Sequence, residues 1–434
     1  MRKLALLGGE PVRTRPFPGR QTIREEEKKA VLEVLESGNL SAFFGSPGEL
    51  FLGGPKVREL EAKWARRYGF KHAISLNSWT SGLMTAVGAV GIGPGDEVIC
   101  TPYTMSASAT SVLFYGGIPI FADVEPRSYC LDPQAVEKAV TARTRAIIVV
   151  HLFGHPANMD AVLRIAARHG LKVIEDAAHA PGATYHGRPV GALGDLGGFS
   201  LNYHKHIHTG EGGVLVTQND ELAQRCQLIR NHGENIVEAL GVKDIGNLIG
   251  ANYRLTEIQA AIGAVQLDRL DSYLAHRNRL AAFLGERLAK IPGLTPPQVE
   301  PGCTHSFYVY AARYDEETVG VPRSAFVEAV KRELPPAASW EQLPFTEGYV
   351  KPLYLSPVYQ RKIAIGSEGF PFNYHRGVDY NYAKGLCPVV ERLYEKELLI
   401  CPLVREPLAE QDLMDFVNAV EKVVENSDEL KRGL

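Results

Sequence analysis

The chain has 434 residues, 45% of them hydrophobic and 22% charged. This is an ordinary globular composition at a length beyond what one hydrophobic core usually supports, so two domains are expected. Its 47 basic and 50 acidic residues leave a net charge of −3 with no Lys/Arg run, which argues against a nucleic-acid or anionic-membrane surface.

In chain order, the N-terminal apolar run Leu4–Leu7 is too short for a signal-peptide core, and no stretch of eighteen apolar residues follows, so no membrane span is expected. The six cysteines form no C-x-x-C pair, and no two are closer than fourteen residues. That spacing speaks against a zinc ribbon or a compact disulfide scaffold and suits a reducing, cytoplasmic setting. Segments 72–78, 96–102, 118–124, 145–153, 171–178 and 212–218 are apolar or β-branched between polar or glycine-bearing turns, and read as buried strands. Helices are expected between them at 79–91, 104–116, 133–140, 158–169 and 186–195. The alternation predicts an α/β fold with a mostly parallel sheet. Leu255, Ile258, Ala261, Ile262 and Val265 recur at helical spacing and open a long helix over 254–289. The Pro/Gly-rich IPGLTPPQVEPG (291–302) reads as a boundary. The expected division is a large domain over 1–290, with an N-terminal arm of about twenty residues, and a small α+β domain over 291–434. That domain would hold a strand at 306–314 and helices at 323–334 and 408–425. Segment 335–385 has no period and reads as a long loop, a candidate wall for a substrate.

Three places carry candidate chemistry. Lys205 lies between a strand end near Phe199–Leu201 and the glycines of GEGG (210–213). A lysine buried there would have a lowered pKa and a nucleophilic neutral amine; the bland alternative is a surface lysine in a loop. Asp176 ends the apolar strand LKVIED, where ligands of open α/β sheets bind. Its carboxylate would pair with a protonated heterocycle, ligate a metal or cap the next helix. NSWTSG (77–82) opens a helix after a strand, and Ser78, Thr80 and Ser81 would add hydroxyls to free N–H groups in an anion seat, unless they only cap the helix. Ser200 would reach the same anion. His204, His206 and His208 alternate but have no carboxylate or cysteine at metal-site spacing, so no metal is expected. No G-x-S-x-G, Walker loop or H-E-x-x-H occurs, and GIGPGD (91–96) precedes a strand, which excludes a dinucleotide fingerprint.

Taken together, GGPKVRELEAKWARRYG (53–69), NSWTSGLMTAV (77–87), GIGPGDEVICTPYTMSASA (91–109), IPIFADVEPRSYCLDP (118–133), VVHLFGHPANMD (149–160), EDAAHAPGA (175–183), FSLNYHKHIHTGEGG (199–213), RNHG (230–233) and ANYRLTEIQAAIG (251–263) resemble the DegT–StrS sugar aminotransferases. Number, order and spacing carry the likeness over nearly the whole chain. It implies a fold-type I PLP-transferase: a large domain on a mostly parallel seven-stranded sheet and a smaller C-terminal α+β domain. It implies pyridoxal 5'-phosphate held as a Schiff base by Lys205, with Asp176 under the pyridine nitrogen. His179 would contact the ring's 3-hydroxyl side, and Thr80, Ser81 and Ser200 the phosphate. Asn252 would reach the phosphate of a neighbouring subunit, which implies a homodimer with shared sites. The implied reaction moves an amino group from glutamate or glutamine to a keto group of a nucleotide-linked sugar or a cyclitol. Met105 stands where relatives usually place an aromatic over the ring, and Trp79 replaces a commonly small residue. One branch of the family carries histidine for the lysine and dehydrates sugars; Lys205 favours transamination. That dehydratase and a non-catalytic PLP-binding protein are the competing readings. Amino-acid-metabolising PLP enzymes usually clamp a carboxylate with arginine, for which Arg254 is a candidate.

Overall fold

The computed structural model describes residues 3–432 except Ala192. Helices α1 (Glu25–Ser37) and α2 (Pro55–Tyr68) precede a sheet of seven strands. Its strands and the helices between them follow in order: β1 (His72–Leu76), α3 (Trp79–Ala89), β2 (Glu97–Cys100), α4 (Ala107–Phe114), β3 (Ile118–Phe121), α5 (Pro133–Ala139), β4 (Thr144–Val150), α6 (Met159–His169) and β5 (Lys172–Asp176). A small hairpin of β6 (Thr184–Tyr185) and β7 (Arg188–Pro189) separates these from β8 (Leu196–Ser200), β9 (Gly213–Thr217) and α7 (Asp220–Arg230). The sheet order is β1-β9-β8-β5-β4-β2-β3. Strands β3, β2, β4, β5 and β8 pair in parallel, and β9 runs antiparallel to both β8 and β1.

The sequence explains these elements. Strands such as β4 and β9 are buried along almost their whole length, as sheets covered on both faces require. In α6 the buried residues Met159, Val162, Ile165 and Ala166 form one stripe. Asn158 caps its start by accepting from the Ala161 N–H at 3.2 Å, and Gly170 ends it at φ 66°.

Helix α8 (Glu257–Leu288) begins with a Thr256–Gln259 capping box and runs for 32 residues. Its first part packs on α1 and α2. Its last turns give Leu280, Ala281, Leu284 and Leu288 to a second core. That core lies on an antiparallel sheet of β10 (Leu294–Thr295), β11 (Tyr310–Tyr314), β12 (Thr346–Glu347) and β13 (Leu398–Cys401), ordered β10-β11-β13-β12. Leu4 and Phe17 of the N-terminal arm belong to this second core.

Three differences from the expected elements have physical causes. The expected helix over 186–195, which includes the undescribed Ala192, is the hairpin and a glycine turn instead. His186 and Gly191 have φ of 48° and 104°, and the backbone N–H groups of Gly191, Leu193 and Gly194 all donate to Glu175. Strand β11 starts four residues late because Phe307 sits at φ 47°. Segment 335–385 is not a bare loop: Tyr354, Tyr359 and Tyr382 surround Phe121 at the end of edge strand β3, with ring centroids 5.0–5.9 Å from it, while Tyr349 lines a cavity, as expected of a wall. No described helix is long and apolar enough to cross a membrane.

Candidate active site

The carboxyl ends of β4, β5 and β8 lie side by side, with Val150 opposite Asp176 and Asp176 opposite Gly198. Over them opens a cavity of 210 Å³, closed on one side by the N-terminus of α3 and on another by the loop after β8. Lys205, Asp176, His179, Ser200, Thr80 and Met105 all line it.

Asp176 is 5% exposed, and a carboxylate so buried must be hydrogen-bonded. Its Oδ1 accepts from the Trp79 indole N–H at 2.8 Å and the Ala178 N–H at 3.2 Å; its Oδ2 accepts from the Ser108 hydroxyl at 2.7 Å. Among the described residues no cluster of three His, Cys, Asp or Glu side chains could hold a metal, and the chain after Asp176 forms a turn and not a helix, so the Ala178 bond caps none.

Lys205 is 7% exposed. Burial pushes its amine down to about 8, and the Asp176 charge opposes part of that fall. On the order of a tenth of such an amine is neutral at pH 7, against less than a thousandth of a solvated lysine. Its Nζ lies 4.5 Å from the centre of the Tyr308 ring. Tyr308 in turn stacks on His179, with centroids 4.1 Å apart. Burial, then the Lys205 charge, holds His179 well below the usual histidine range. Its Nδ1 accepts from the Phe153 N–H at 3.4 Å, which leaves the proton of the neutral ring on Nε2.

The turn 77–82 splits its hydroxyls. Ser78 and Thr80 line the cavity. The N–H groups of Trp79 and Thr80, first in α3, have no intrahelical acceptor. Ser81, expected beside them, is not among the lining residues: its hydroxyl donates to Asn77 Oδ1 at 2.6 Å and lies 2.8 Å from the Ser78 carbonyl. Gly213 lets β9 begin directly under this turn, since a Cβ there would come within 2.7 Å of the Trp79 nitrogen. Met105 sits at the mouth, 62% exposed. Asn252 is exposed outside the cavity of its own chain, bridged to Asn231. Arg254 also lies outside it, donating to Asn231 Oδ1 at 2.7 Å.

The three histidines part company. His204 lines the cavity, where burial lowers it to about 4. His206 donates to the Ser306 carbonyl at 2.8 Å, and His208 meets the Thr22 hydroxyl. Sequence reasoning missed Arg20 and Tyr308, whose ring walls in His179 together with Tyr349 of the expected wall segment 335–385. The Arg20 guanidinium donates to the carbonyls of Tyr203 at 2.8 Å, His206 at 3.1 Å and Lys205, so the N-terminal arm clamps the lysine's loop. Nothing local in the sequence points to these contacts.

Residues 21–372 match the profile of the DegT/DnrJ/EryC1/StrS aminotransferase family. The chain is 35% identical to L-glutamine:2-deoxy-scyllo-inosose aminotransferase of Streptoalloteichus tenebrarius, covering 99% of each chain. It is 43% identical to GDP-perosamine synthase of Caulobacter vibrioides over 67% of this chain and 75% of that one. Among solved structures, DesI in the presence of its TDP-sugar product superposes with a TM-score of 0.81 at 28% identity, covering 99% of this chain and 98% of that one. A full-length likeness of this kind, with the lysine and aspartate meeting in one cavity, leaves one assignment: the chain belongs to the DegT/DnrJ/EryC1/StrS aminotransferase family.

Proposed function

We propose that the protein transfers an amino group from glutamate or glutamine to a keto group of a nucleotide-linked sugar or a cyclitol, using pyridoxal 5'-phosphate. The observation that carries the reading is the pair of Lys205, with its depressed amine pKa, and Asp176 on one buried cavity. The residues fit the cofactor: an amine for its aldehyde, a carboxylate for its ring nitrogen, and a helix N-terminus with hydroxyls for its phosphate. When bound, pyridoxal 5'-phosphate supplies the carbonyl that carries the amino group and a ring that withdraws electrons from the substrate's Cα. Lys205 would hold the cofactor through its aldehyde carbon and, once displaced by the donor, its Nζ would take the proton from the donor's Cα and deliver it to that same cofactor carbon. Asp176 holds a proton on the ring nitrogen. His179 donates its Nε2–H toward the ring's 3-hydroxyl. Thr80, Ser200 and the N–H groups opening α3 hold the phosphate, and Ser81 braces the turn from behind. Asn252 acts in the site of a second copy, so the working form is a homodimer. The unpaired cysteines support a cytoplasmic enzyme.

The test is an absorption spectrum after loading with pyridoxal 5'-phosphate and removing the excess. A violet-absorbing band should remain, and glutamine or glutamate alone should bleach it. Lys205→Ala should lose that conversion. A retained band that neither donor alters would favour sugar dehydration. Protein that retains no cofactor would overturn the reading.

A further inference from the structure

Trp79 is the first residue of α3, in the turn 77–82, and its surroundings are built around it. The indole lies between Gly82, one turn further along α3, and Gly198 of β8; a methyl group on either glycine would overlap the ring. Gly198 is the register partner of Asp176. Seating the benzo edge on Gly198 therefore brings the pyrrole N–H onto the neighbouring strand, where it donates to Asp176 Oδ1 at 2.8 Å. A carboxylate offers about four lone-pair positions. Trp79 and the Ala178 N–H take the two on Oδ1, and Ser108 takes one on Oδ2. One acceptor position remains, on Oδ2, and Asp176 lines the cavity.

We propose that Trp79 is a positioning residue for Asp176: its indole N–H saturates Oδ1, fixes the carboxylate plane, and makes Oδ2 the atom that meets the ring nitrogen of the cofactor. The inference rests on the cofactor reading above. Without the indole N–H, Oδ1 becomes a second open acceptor and the carboxylate is free to rotate about its Cβ–Cγ bond. The anion also loses a charge-assisted bond of the stronger kind.

A double-mutant cycle separates this role from mere filling of the glycine slot. Trp79→Phe keeps a ring in the slot and removes the N–H; Asp176→Asn removes the charge it serves. Two quantities are read in each variant: the dissociation constant of the cofactor-free protein for pyridoxal 5'-phosphate, and the rate at which a single addition of glutamine bleaches the Lys205 band. Trp79→Phe should weaken retention and slow bleaching on the order of tenfold, the scale of a hydrogen bond to a charged group. The glutamine concentration for half-maximal rate should stay within about twofold, since the donor does not touch the indole. In the Asp176→Asn background the same substitution should add nothing. Equal losses in both backgrounds, or no loss in either, would overturn the proposal. If Trp79→Phe does not fold, all three tryptophans can be exchanged biosynthetically for the isostere with sulfur in place of the N–H. Trp64 Nε1 has no hydrogen-bond partner to lose. That protein should reproduce the tenfold effect, and wild-type behaviour would sink the idea. Wild-type protein that takes up no cofactor would bring down the functional reading and this inference with it; a band in wild type with an unaffected Trp79→Phe brings down the inference alone.

Discussion

Strand β5 ends in two consecutive carboxylates that face opposite sides of the sheet, and they have opposite fates. Glu175 is fully buried, and all four of its acceptor positions are filled. Leu193 and Gly194 N–H groups donate to Oε1 at 2.5 and 2.7 Å, and Gly191 N–H and His151 Nε2 to Oε2 at 2.8 and 2.9 Å. His151 Nδ1 accepts from the Ala157 N–H, which fixes the proton on Nε2. Asp176 next door has three donors and one position left. A buried charge with every valence spent holds a loop in place. One with a single valence open onto a cavity is available for chemistry.

The largest effect belongs to the group that the open carboxylate serves. Lys205→Ala should slow the donor half-reaction by on the order of a thousandfold or more, because both the covalent attachment and the proton carrier go. Single-turnover spectra measure this, and appreciable residual conversion would remove Lys205 from the centre of the mechanism.

The contrast between the two carboxylates is next in size and is the most direct attempt to break it. Asp176→Asn should cost on the order of a hundredfold in turnover, the scale of one lost electrostatic partner at a reacting group. It should leave the melting temperature nearly unchanged. Glu175→Gln should do the reverse. An amide NH2 would face backbone N–H donors in a fully buried site, at a cost of about 3 kcal/mol or more in stability. Turnover per folded molecule should be kept. Thermal melts beside active-site-normalised rates test both, and a matched pattern in the two variants would end the distinction.

This contrast also shows why part of the molecule is readable from sequence and part is not. Six of the seven strands of the central sheet are short apolar runs whose burial needs no partner information, and they are expected within a few residues of where they lie; of the glycine-bearing β8 only the end near Phe199–Leu201 is. The long α8 announces itself by its period and its capping box. Lys205, Asp176, His179, Thr80, Met105 and Ser200 sit in or next to motifs at strand ends, and they meet in one cavity. Helices α1 and α7 and strand β13 went unnoticed: α1 buries only Glu27 and Val34, and β13 is four residues long. The role of Trp79 depends on a contact across 97 residues, and that of Arg20 on one across 185. Such contacts are set by packing, for which a local pattern carries no signal.

Titration should sharpen the account of Lys205. Its amine is pushed down to about 8 in the folded chain from 10.5. Below about 8 both states carry the proton, and the folded state bears the full cost of a buried ammonium. Between about 8 and 10.5 the folded chain has released a proton that the unfolded chain still binds, so stability of the cofactor-free protein rises with pH across that window. The gain over the whole window is about 3 kcal/mol. Denaturant melts on either side of it, compared with Lys205→Met, isolate the contribution. Identical pH slopes in the two proteins would show that the amine is not desolvated.

The smallest expected effect is at Met105, and its sign is favourable. The side chain sits at the cavity mouth, 62% exposed, so nothing packed around it resists a larger group. A flat ring on the cofactor's face would add about 0.5–1.5 kcal/mol beyond area burial. A thioether already contributes part of that contact. Met105→Phe should therefore tighten retention of pyridoxal 5'-phosphate by about two- to fivefold, with melting of the cofactor-free protein unchanged. Equilibrium dialysis reads the difference. Weaker retention would mean that Met105 does not lie over the ring. In that case the open side of the site, unlike the side where Asp176 keeps one acceptor position, is completed by something other than this residue.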